Sequence, residues 1–395
     1  MARLLGFVFV ALCFQVAEFS DNEDCVIELE CEECLPEHMP AVMSHAARRG
    51  VVRVPHGEEL ALACARGHFL AFPRAALVAR CHDARYSVDG ALHALLDLGC
   101  QQDVLEDVQH AVEHCAPPLQ GRAYETQVGG RTRHLAMLCF DEDRAIAVRA
   151  RTTNGALPLP AHSDARAPLS LLGNFNHMFD AETRRRAERL YSDESRLQRR
   201  LHELYKHRDY TFADQKLTAG KLLAPAYFRA GDERVSEFAS NKVLSWRSVV
   251  EGNLRHVHED VAACLAASRG VLDVYAGTHG VLSLNAGEPR GELHLAEGRR
   301  FPVPRYIWTA VLSPERNEGV ALILLNDPFV TVSEIRDAVF CSSVCSHVRW
   351  LRAVTAHRNY ERPLLGLVFC CALGEFAAAV GEMPPLFNGT LKLLT

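Results

Sequence analysis

The chain has 395 residues, of which 48% are apolar and 23% charged, with a formal net charge of −6. That is long enough for two domains or one large elaborated one, and no long polar tract marks a disordered chain. The negative balance excludes a generally nucleic-acid-coating protein but leaves room for a single basic groove.

Arg3 precedes a short apolar run, Leu4 to Phe14, with small residues at Ala17 and Ser20. This is the layout of a secretory signal peptide over 1–20, cleaved near 17–20, and the run is short for a membrane span. A buried N-terminal strand is the plain alternative. The apolar 364–387 region is broken by Glu375, Glu382 and a Pro-Pro pair. No membrane contact is expected, and the mature chain reads as secreted and extracellular.

Residues 21–150 read as a small disulfide-rich β region. Cys25, Cys31, Cys34, Cys64, Cys81, Cys100, Cys115 and Cys139 are interleaved with strand patterns such as GVVRVPHGEELALACA and RHLAMLCFD. Removing Cys13 with the signal from 14 cysteines leaves 13, so at least one thiol is free or intermolecular. The Cys31-x2-Cys34 spacing could bind zinc, but no second pair completes a site, and an oxidising compartment favours disulfides.

A Pro-, Ala- and polar-rich stretch at 151–170 reads as a linker to a second domain, 171–395. From 180 to 206 the composition is helical, with Leu190, Leu197, Leu201 and Leu204 on one face. Arg184, Arg185, Arg186, Arg189, Arg196, Arg199 and Arg200 lie on the other. Such a face is either a solvated helix surface or a wall for nucleic acid. A second helix is expected from about 251 to 268. The runs LDVYAGTHGVLSL, GELHLA, YIWTAVL and GVALILLN follow it and predict a mostly antiparallel sheet. Cys341-x3-Cys345 and Cys370-Cys371 are expected to tether the C-terminal segment.

Between the two helices, KLTAGKLLAPAYF (216–228) holds a Gly-Lys pair. A phosphate loop needs a second glycine five residues earlier and a hydroxyl residue after the lysine; Gln215 and Leu222 stand there instead. The segments AGKLLAPAYF (219–228), SNKVLSWRSVVEGNLRHVHED (240–260), LDVYAGTHGVLSL (272–284), FPVPRYIWTAVL (301–312) and GLVFCC (366–371) carry a different resemblance. In this order they resemble the secreted DNA/RNA non-specific endonucleases, particularly the arthropod double-stranded-RNA-degrading branch, over about 130–395. The fold that the resemblance implies is α+β: a ββα-metal (His-Me finger) nuclease-like domain with an antiparallel sheet and flanking helices.

The family's chemistry implies an Arg-Gly-His motif whose histidine takes a proton from water. It also implies a magnesium ion anchored by an asparagine and supported by a glutamate eight residues later. Mapped residue by residue, the arginine position is Ala219, the glycine is Gly220 and the base position is Lys221. The family's acidic position is Tyr227, between matching Ala226 and Phe228. Its Asn-x-x-Pro-Gln-Trp segment reads Asn241, Leu244, Ser245 and Trp246. The metal asparagine falls on Val250 and the supporting glutamate on His258, while Gly252 and Asn253 keep the frame.

A lysine with an ordinary pKa of roughly 10.4 is a poor base at neutral pH, and valine offers magnesium no oxygen. His256 and His258 point to opposite sides of a helix, so they do not readily share an ion, and each is otherwise an exposed helix histidine. Lys221 could hold a phosphate as a point charge, or stand as a lysine on an unused surface.

The sequence therefore predicts a catalytically impaired pseudo-nuclease that binds the DNA or RNA backbone without sequence preference. Lys221, Arg247 and Arg255 are the expected contacts, and no cofactor is expected. One alternative is an active nuclease using magnesium and rearranged bases among His207, His256 and His258. Another is an extracellular protein-interaction module.

Overall fold

The apolar runs PRYIWTAVLS at 304–313 and EGVALILL at 318–325 form neighbouring strands covered on both faces. Strands buried on two sides read as continuous hydrophobic runs rather than alternating ones. The structure is a computed structural model of the full chain. It describes residues 23–157, 194–205 and 215–395, apart from breaks at 29–30, 32–33, 37, 46–50, 65–66, 102–104, 110–114, 129–130, 156, 230–231, 285–290, 382 and 390; positions 182, 185 and 187 are described singly. The expected signal peptide and most of the 151–170 linker lie outside the described residues, as do Arg184, Arg186, Arg189, Leu190 and His207.

Seven short strands come first: β1 (Cys25–Glu28), β2 (Ala41–Val42), β3 (Val51–Val54), β4 (Glu59–Ala63), β5 (Ala76–His82), β6 (Arg85–Val88) and β7 (Ala91–His93). β1 pairs with β3, and the others form a sheet in the order β2-β4-β5-β6-β7. Disulfides Cys25–Cys81 and Cys64–Cys100 close this region. Cys31 and Cys34 are bonded to each other, which leaves no thiolate pair for zinc.

The large sheet is built from β8 (Leu105–Gln109), β9 (Gln120–Val128), β10 (Arg131–Asp141), β11 (Ile146–Thr153), β14 (Asp273–Val281), β17 (Pro304–Ser313), β18 (Glu318–Leu325), β19 (Leu367–Cys371) and β20 (Lys392–Leu393). Their order is β19-β18-β17-β14-β11-β10-β9-β8, antiparallel throughout, with β20 adding parallel to β18. β12 (Leu217–Lys221) pairs only with β13 (Lys242–Trp246), and β15 (Ser283–Leu284) only with β16 (Gly291–Glu292).

The sheet runs straight through the domain edge expected at 150. β11 bonds to β14 over Arg149–Thr153 and Asp273–Gly277, so β8–β11 belong to the large sheet and not to the disulfide-rich region. Cysteine spacing misplaced that edge: the Cys115–Cys139 bridge ties the β8–β9 connection to β10 of the large sheet. Strand pairing, not cysteine density, marks where a fold ends.

Successive residues of β17 and β18 serve two different cores. Ile307, Val311, Val320, Leu322 and Leu324 join a core with Val274 and Ala276. Tyr306, Trp308, Ala310, Leu312, Ala321, Ile323 and Leu325 join the other. This is the period-two alternation of a pleated sheet. Four helices contribute to the two layers: α1 (Glu194–Tyr205), α2 (Arg255–Ala267), α3 (Val332–Ala338) and α4 (Leu373–Val380). Leu197 and Leu201 of α1, Val257, Val261 and Leu265 of α2, and the β12–β13 ribbon cover the first face. Ala338, Leu373, Phe376 and Phe387 cover the second. Cys341–Cys371 and Cys345–Cys370 staple the C-terminal segment to β19. Among the described residues Cys264 is the free cysteine, and burial pushes its thiol up to about 11.

Gly277 allows the second core to close. A Cβ there would lie 2.3 Å from the Val148 carbonyl oxygen and 2.5 Å from the Trp308 ring. Trp308 is the residue opposite Gly277 on β17, and its indole lies across the space a side chain would take. Gly277→Ala should therefore cost about 2–3 kcal/mol by overpacking. Gly291→Ala, where no atom lies within 4 Å, should leave stability nearly unchanged. Urea unfolding of the two variants beside the parent checks this.

Candidate functional site

β12 and β13 form an antiparallel ribbon in which Gly220 faces Val243 and Lys221 faces Lys242. The chain between them makes three 3₁₀ turns, Pro225–Tyr227, Glu233–Glu237 and Ala239–Asn241. Asn241, fully buried, closes the connection. Its Oδ1 accepts from the Leu223 amide at 2.9 Å, and its Nδ2 donates to the carbonyls of Leu223 at 2.9 Å and Ser236 at 2.8 Å. Next to it, Ser240 Oγ donates to Asp107 at 2.7 Å, and Arg122 Nε donates to the same carboxylate at 2.9 Å. The Tyr124 hydroxyl lies 2.7 Å from Ser240 Oγ. Burial pushes the Asp107 carboxyl up, against the pull of Arg122 and Ser240. This buried network fixes the ribbon connection to the large sheet.

The helix after the ribbon starts earlier than the sequence pattern suggests. It begins at Arg247, widens into a π turn at Val250–Leu254, and continues as α2. The widened turn sits where Gly252 has non-helical angles (φ −91°, ψ −119°) and meets Leu365, whose Cβ is 2.9 Å from where a Cβ would be. Asn253 is buried in the same turn and donates to the carbonyls of Asn359 at 2.7 Å and Gly366 at 2.6 Å. Lower on the helix, the Asp260 carboxylate accepts from the amides of Ala353 and Val354, both at 2.9 Å. These bonds lash the helix to the C-terminal segment on one side and leave its other side to the ribbon.

Positions 250, 254 and 258 share that ribbon-facing side, as a four-residue helical spacing requires. A Cβ at Gly220 would lie 3.3 Å from Val250 and 3.2 Å from Leu254. His258 hydrogen-bonds to the Leu222 backbone, is near enough to Lys221 to feel its charge, and packs edge-on against Tyr227 at 5.6 Å. Val250 and His258 therefore both meet the Gly220–Leu222 backbone. Ala219 is half-buried, opposite Leu244.

Two expectations are corrected here. His258 is not an exposed helix histidine: its Nε2 is enclosed, with no partner among the described residues. Burial, and then Lys221, lower its pKa to about 4, against the Leu222 hydrogen bond. His256 is half-buried, its Nδ1 3.2 Å from Asn253 Oδ1; burial and Arg255 lower its pKa too. Nor does Lys221 stand loose on an unused surface. Its ammonium pairs with Glu237 Oε1, while Lys242 Nζ reaches Glu237 Oε2 at 2.5 Å. Burial works to raise the Glu237 pKa, but Lys242 and Lys221 outweigh it and hold the carboxyl below its ordinary value.

Tyr227 is 4% exposed, with its hydroxyl enclosed and pushed up in pKa by burial. On the helix Arg247 is partly exposed and Arg255 exposed, 3.9 Å from Glu251 and 3.6 Å from Glu259 respectively. Exposed pairs of this kind are weak and exchange partners readily. On α1, Arg200 donates to the Leu295 carbonyl at 2.9 Å, Arg196 and Arg199 are exposed, and Leu204 is 39% exposed instead of buried.

The residues at the family's metal positions do not fit a magnesium ion. Val250 has no donor, His258 offers an enclosed nitrogen, and the carboxylate beside Lys221, Glu237, is shared by two ammonium groups. Magnesium needs accessible oxygens. Among the described residues, no cluster of three His, Cys, Asp or Glu side chains could hold a metal. No helix among them is long and apolar enough to cross a membrane.

Sequence reading missed Glu237, Lys242 and Asp260 as members of this arrangement, and placed Asn253 in its frame without its bonds to Asn359 and Gly366. Only a polar residue at an otherwise apolar helical position, as at Asn253 and Asp260, signalled any of them in advance.

No protein-family profile matches the chain. The chain is distantly similar to a salivary endonuclease of Lutzomyia longipalpis, 25% identical over 146 residues, which are 37% of this chain and 34% of that protein. Salivary protein Tsal2A of Glossina morsitans morsitans is 23% identical over 198 residues, 47% of this chain and 49% of that protein. Salivary protein Tsal1 of the same species is 25% identical over 175 residues, 43% and 42% respectively. The matches span between a third and a half of the length of these relatives. The solved EndoG/EndoGI complex overlaps 50% of this chain and 74% of its own, at a TM-score of 0.30 and 12% identity, too loosely to superpose a site.

The enclosed histidine gives a direct test. A histidine whose folded pKa lies below its unfolded value of roughly 6.5 contributes stability that is complete above that pH. The contribution is lost as pH falls toward about 4. Asp232, raised to about 6 by burial against Arg133, works with the opposite sign across the same range, so bulk melting curves mix the two. Ring-proton NMR separates them: the His258 signals should stay at their neutral positions at pH 5.5, where an ordinary histidine is mostly charged. Titration of His258 near 6.5 would show that the ring is not enclosed.

Proposed function

We propose that the protein is an exported nuclease-like protein that binds the nucleic-acid backbone through phosphate contacts and does not cut it. The observation that carries this reading is chemical. A two-stranded ribbon and the following helix, the order expected of a ββα-metal site, come together at Gly220–Leu222, but present a paired lysine, a valine and an enclosed histidine. None of these supplies an oxygen to a metal, and a histidine with a pKa near 4 is a weak base at neutral pH. Distant likeness to a protein named as a salivary endonuclease supports the nuclease-like part. Six disulfides support an oxidising, extracellular setting.

Binding would be electrostatic. Arg255 is an exposed cation beside the ribbon and Arg247 a partly exposed one, and α1, whose Leu197 and Leu201 join the same core as Leu217 of β12, sets Arg196 and Arg199 on a neighbouring surface. Their contacts would go to phosphates and carry no sequence preference.

Plasmid DNA and double-stranded RNA incubated with the purified protein and magnesium or manganese should stay intact, to the level of a Lys221→Ala, His258→Ala control. Cleavage above that control sinks the non-cutting half of the reading and favours the rearranged nuclease. Anisotropy of fluorescein-labelled double-stranded RNA should report binding whose log affinity falls linearly with log salt. Three phosphate contacts would weaken it about 40-fold between about 50 and 200 mM salt. Arg255→Gln should weaken all sequences alike and lower the salt slope by about one unit. No binding at low salt would favour a protein partner instead.

A further inference from the structure

Lys221 and Lys242 occupy the same rung of the ribbon, directly opposite each other. Like charges so placed destabilise an antiparallel pair unless an anion lies between them. Glu237 is that anion, and it gives one carboxylate oxygen to each ammonium. The side chains of the three residues are 16–27% exposed, so the cluster is recessed but open to solvent. Two ammonium groups spaced to share one carboxylate are also spaced to share two oxygens of a phosphate group.

The backbone around the cluster is held firmly and the Glu237 side chain is not. Asn241 and Ser240 pin the turns on the Lys242 side through buried hydrogen bonds. Ribbon pairing pins Lys221. By contrast, the partners of the Glu237 carboxylate among the described residues are the two lysines. It can rotate away without disturbing any backbone bond. A tethered carboxylate also competes at the high effective concentration of an attached group, in the millimolar range for short flexible tethers.

We infer that Lys221 and Lys242 form a phosphate site whose resident occupant is Glu237, so that a phosphate group enters only by displacing that carboxylate. This rests on the phosphate-binding reading above and assigns Lys242 and Glu237 to it. The charge account is consistent: two ammonium groups and one carboxylate leave a net single positive charge, and a phosphodiester in place of the carboxylate leaves the same. The site would therefore discriminate by charge and by oxygen spacing, and would remain closed to weakly held anions.

The test uses the full mature protein with two probes, inorganic phosphate followed by calorimetry and fluorescein-labelled double-stranded RNA followed by anisotropy. Glu237→Gln should bind both at least about 10-fold more tightly than the parent, because the internal competitor is lost. Lys242→Gln added to it should abolish the gain. Glu375→Gln, which removes the same charge from an exposed position on α4, should not reproduce it. A folded Glu237→Gln variant that binds phosphate no better than the parent, or worse, overturns the proposal.

If that variant does not fold, Glu237→Asp decides. It keeps the charge but is one methylene too short to bridge both lysines, so it should show a several-fold gain; no gain overturns the proposal. Tighter phosphate binding with no RNA binding by any variant supports the site and removes the nucleic-acid reading. RNA binding by the parent that Glu237→Gln leaves unchanged does the reverse.

Discussion

The large sheet has to be covered on both faces, and the rest of the structure follows from that constraint. β17 and β18 send alternate side chains into two separate cores. Leaving either face bare would expose Trp308 and Phe369 on one side or Ile307 and Leu322 on the other. The chain answers with different devices on the two sides. The second face is closed by α3, α4 and Phe387, stapled through Cys341–Cys371. The first is closed by the ribbon and α2, with buried hydrogen bonds added to the Cys345–Cys370 bridge. The candidate site lies in this first layer, where Asn241, Asn253 and Asp260 each satisfy two or more backbone groups. Losing any one of them would leave buried backbone groups unpaired, which is costly.

Much of this was legible in the sequence, for physical reasons. Strands that are apolar on both faces are hard to mistake at 304–325, and the turn residues between them force antiparallel return. The helix over most of 251–268 followed from local pattern, as did the free thiol from the odd cysteine count, whereas the ribbon carrying Lys221 was implied only by the family resemblance. The sheet's extent did not. Nothing in Ile146–Thr153 says that its hydrogen-bonding partner is the distant segment Asp273–Gly277. Cysteine spacing pointed the other way, and the domain edge was drawn through a continuous sheet.

The site was legible in its positions and opaque in its electrostatics. Alignment of motifs could name Lys221 and His258. It could not show that Lys242 stands across from Lys221, because that neighbourhood is created by ribbon register across a loop of 3₁₀ turns. Glu237 sits in such a turn, where no periodicity distinguishes a solvated carboxylate from one shared by two lysines. His258 was misjudged for a related reason: helical spacing gives the direction of a side chain, but not the presence of Tyr227 over it.

The charged groups of the cleft form one electrostatic unit. Magnesium needs an octahedral shell of oxygens, and Val250 offers none. Lys221 and Lys242 supply positive charge instead, and Glu237 is the anion between them. A carboxylate beside His258 would have favoured a charged imidazole. Next to Lys221 and under Tyr227 the ring is kept neutral, and it can be buried without a counter-ion. The Val250 and Leu254 contacts to Gly220 then close the space from below with apolar atoms. What remains open to solvent is the lysine pair and the carboxylate between them, so any phosphate chemistry left to this cleft has to pass through that bridge.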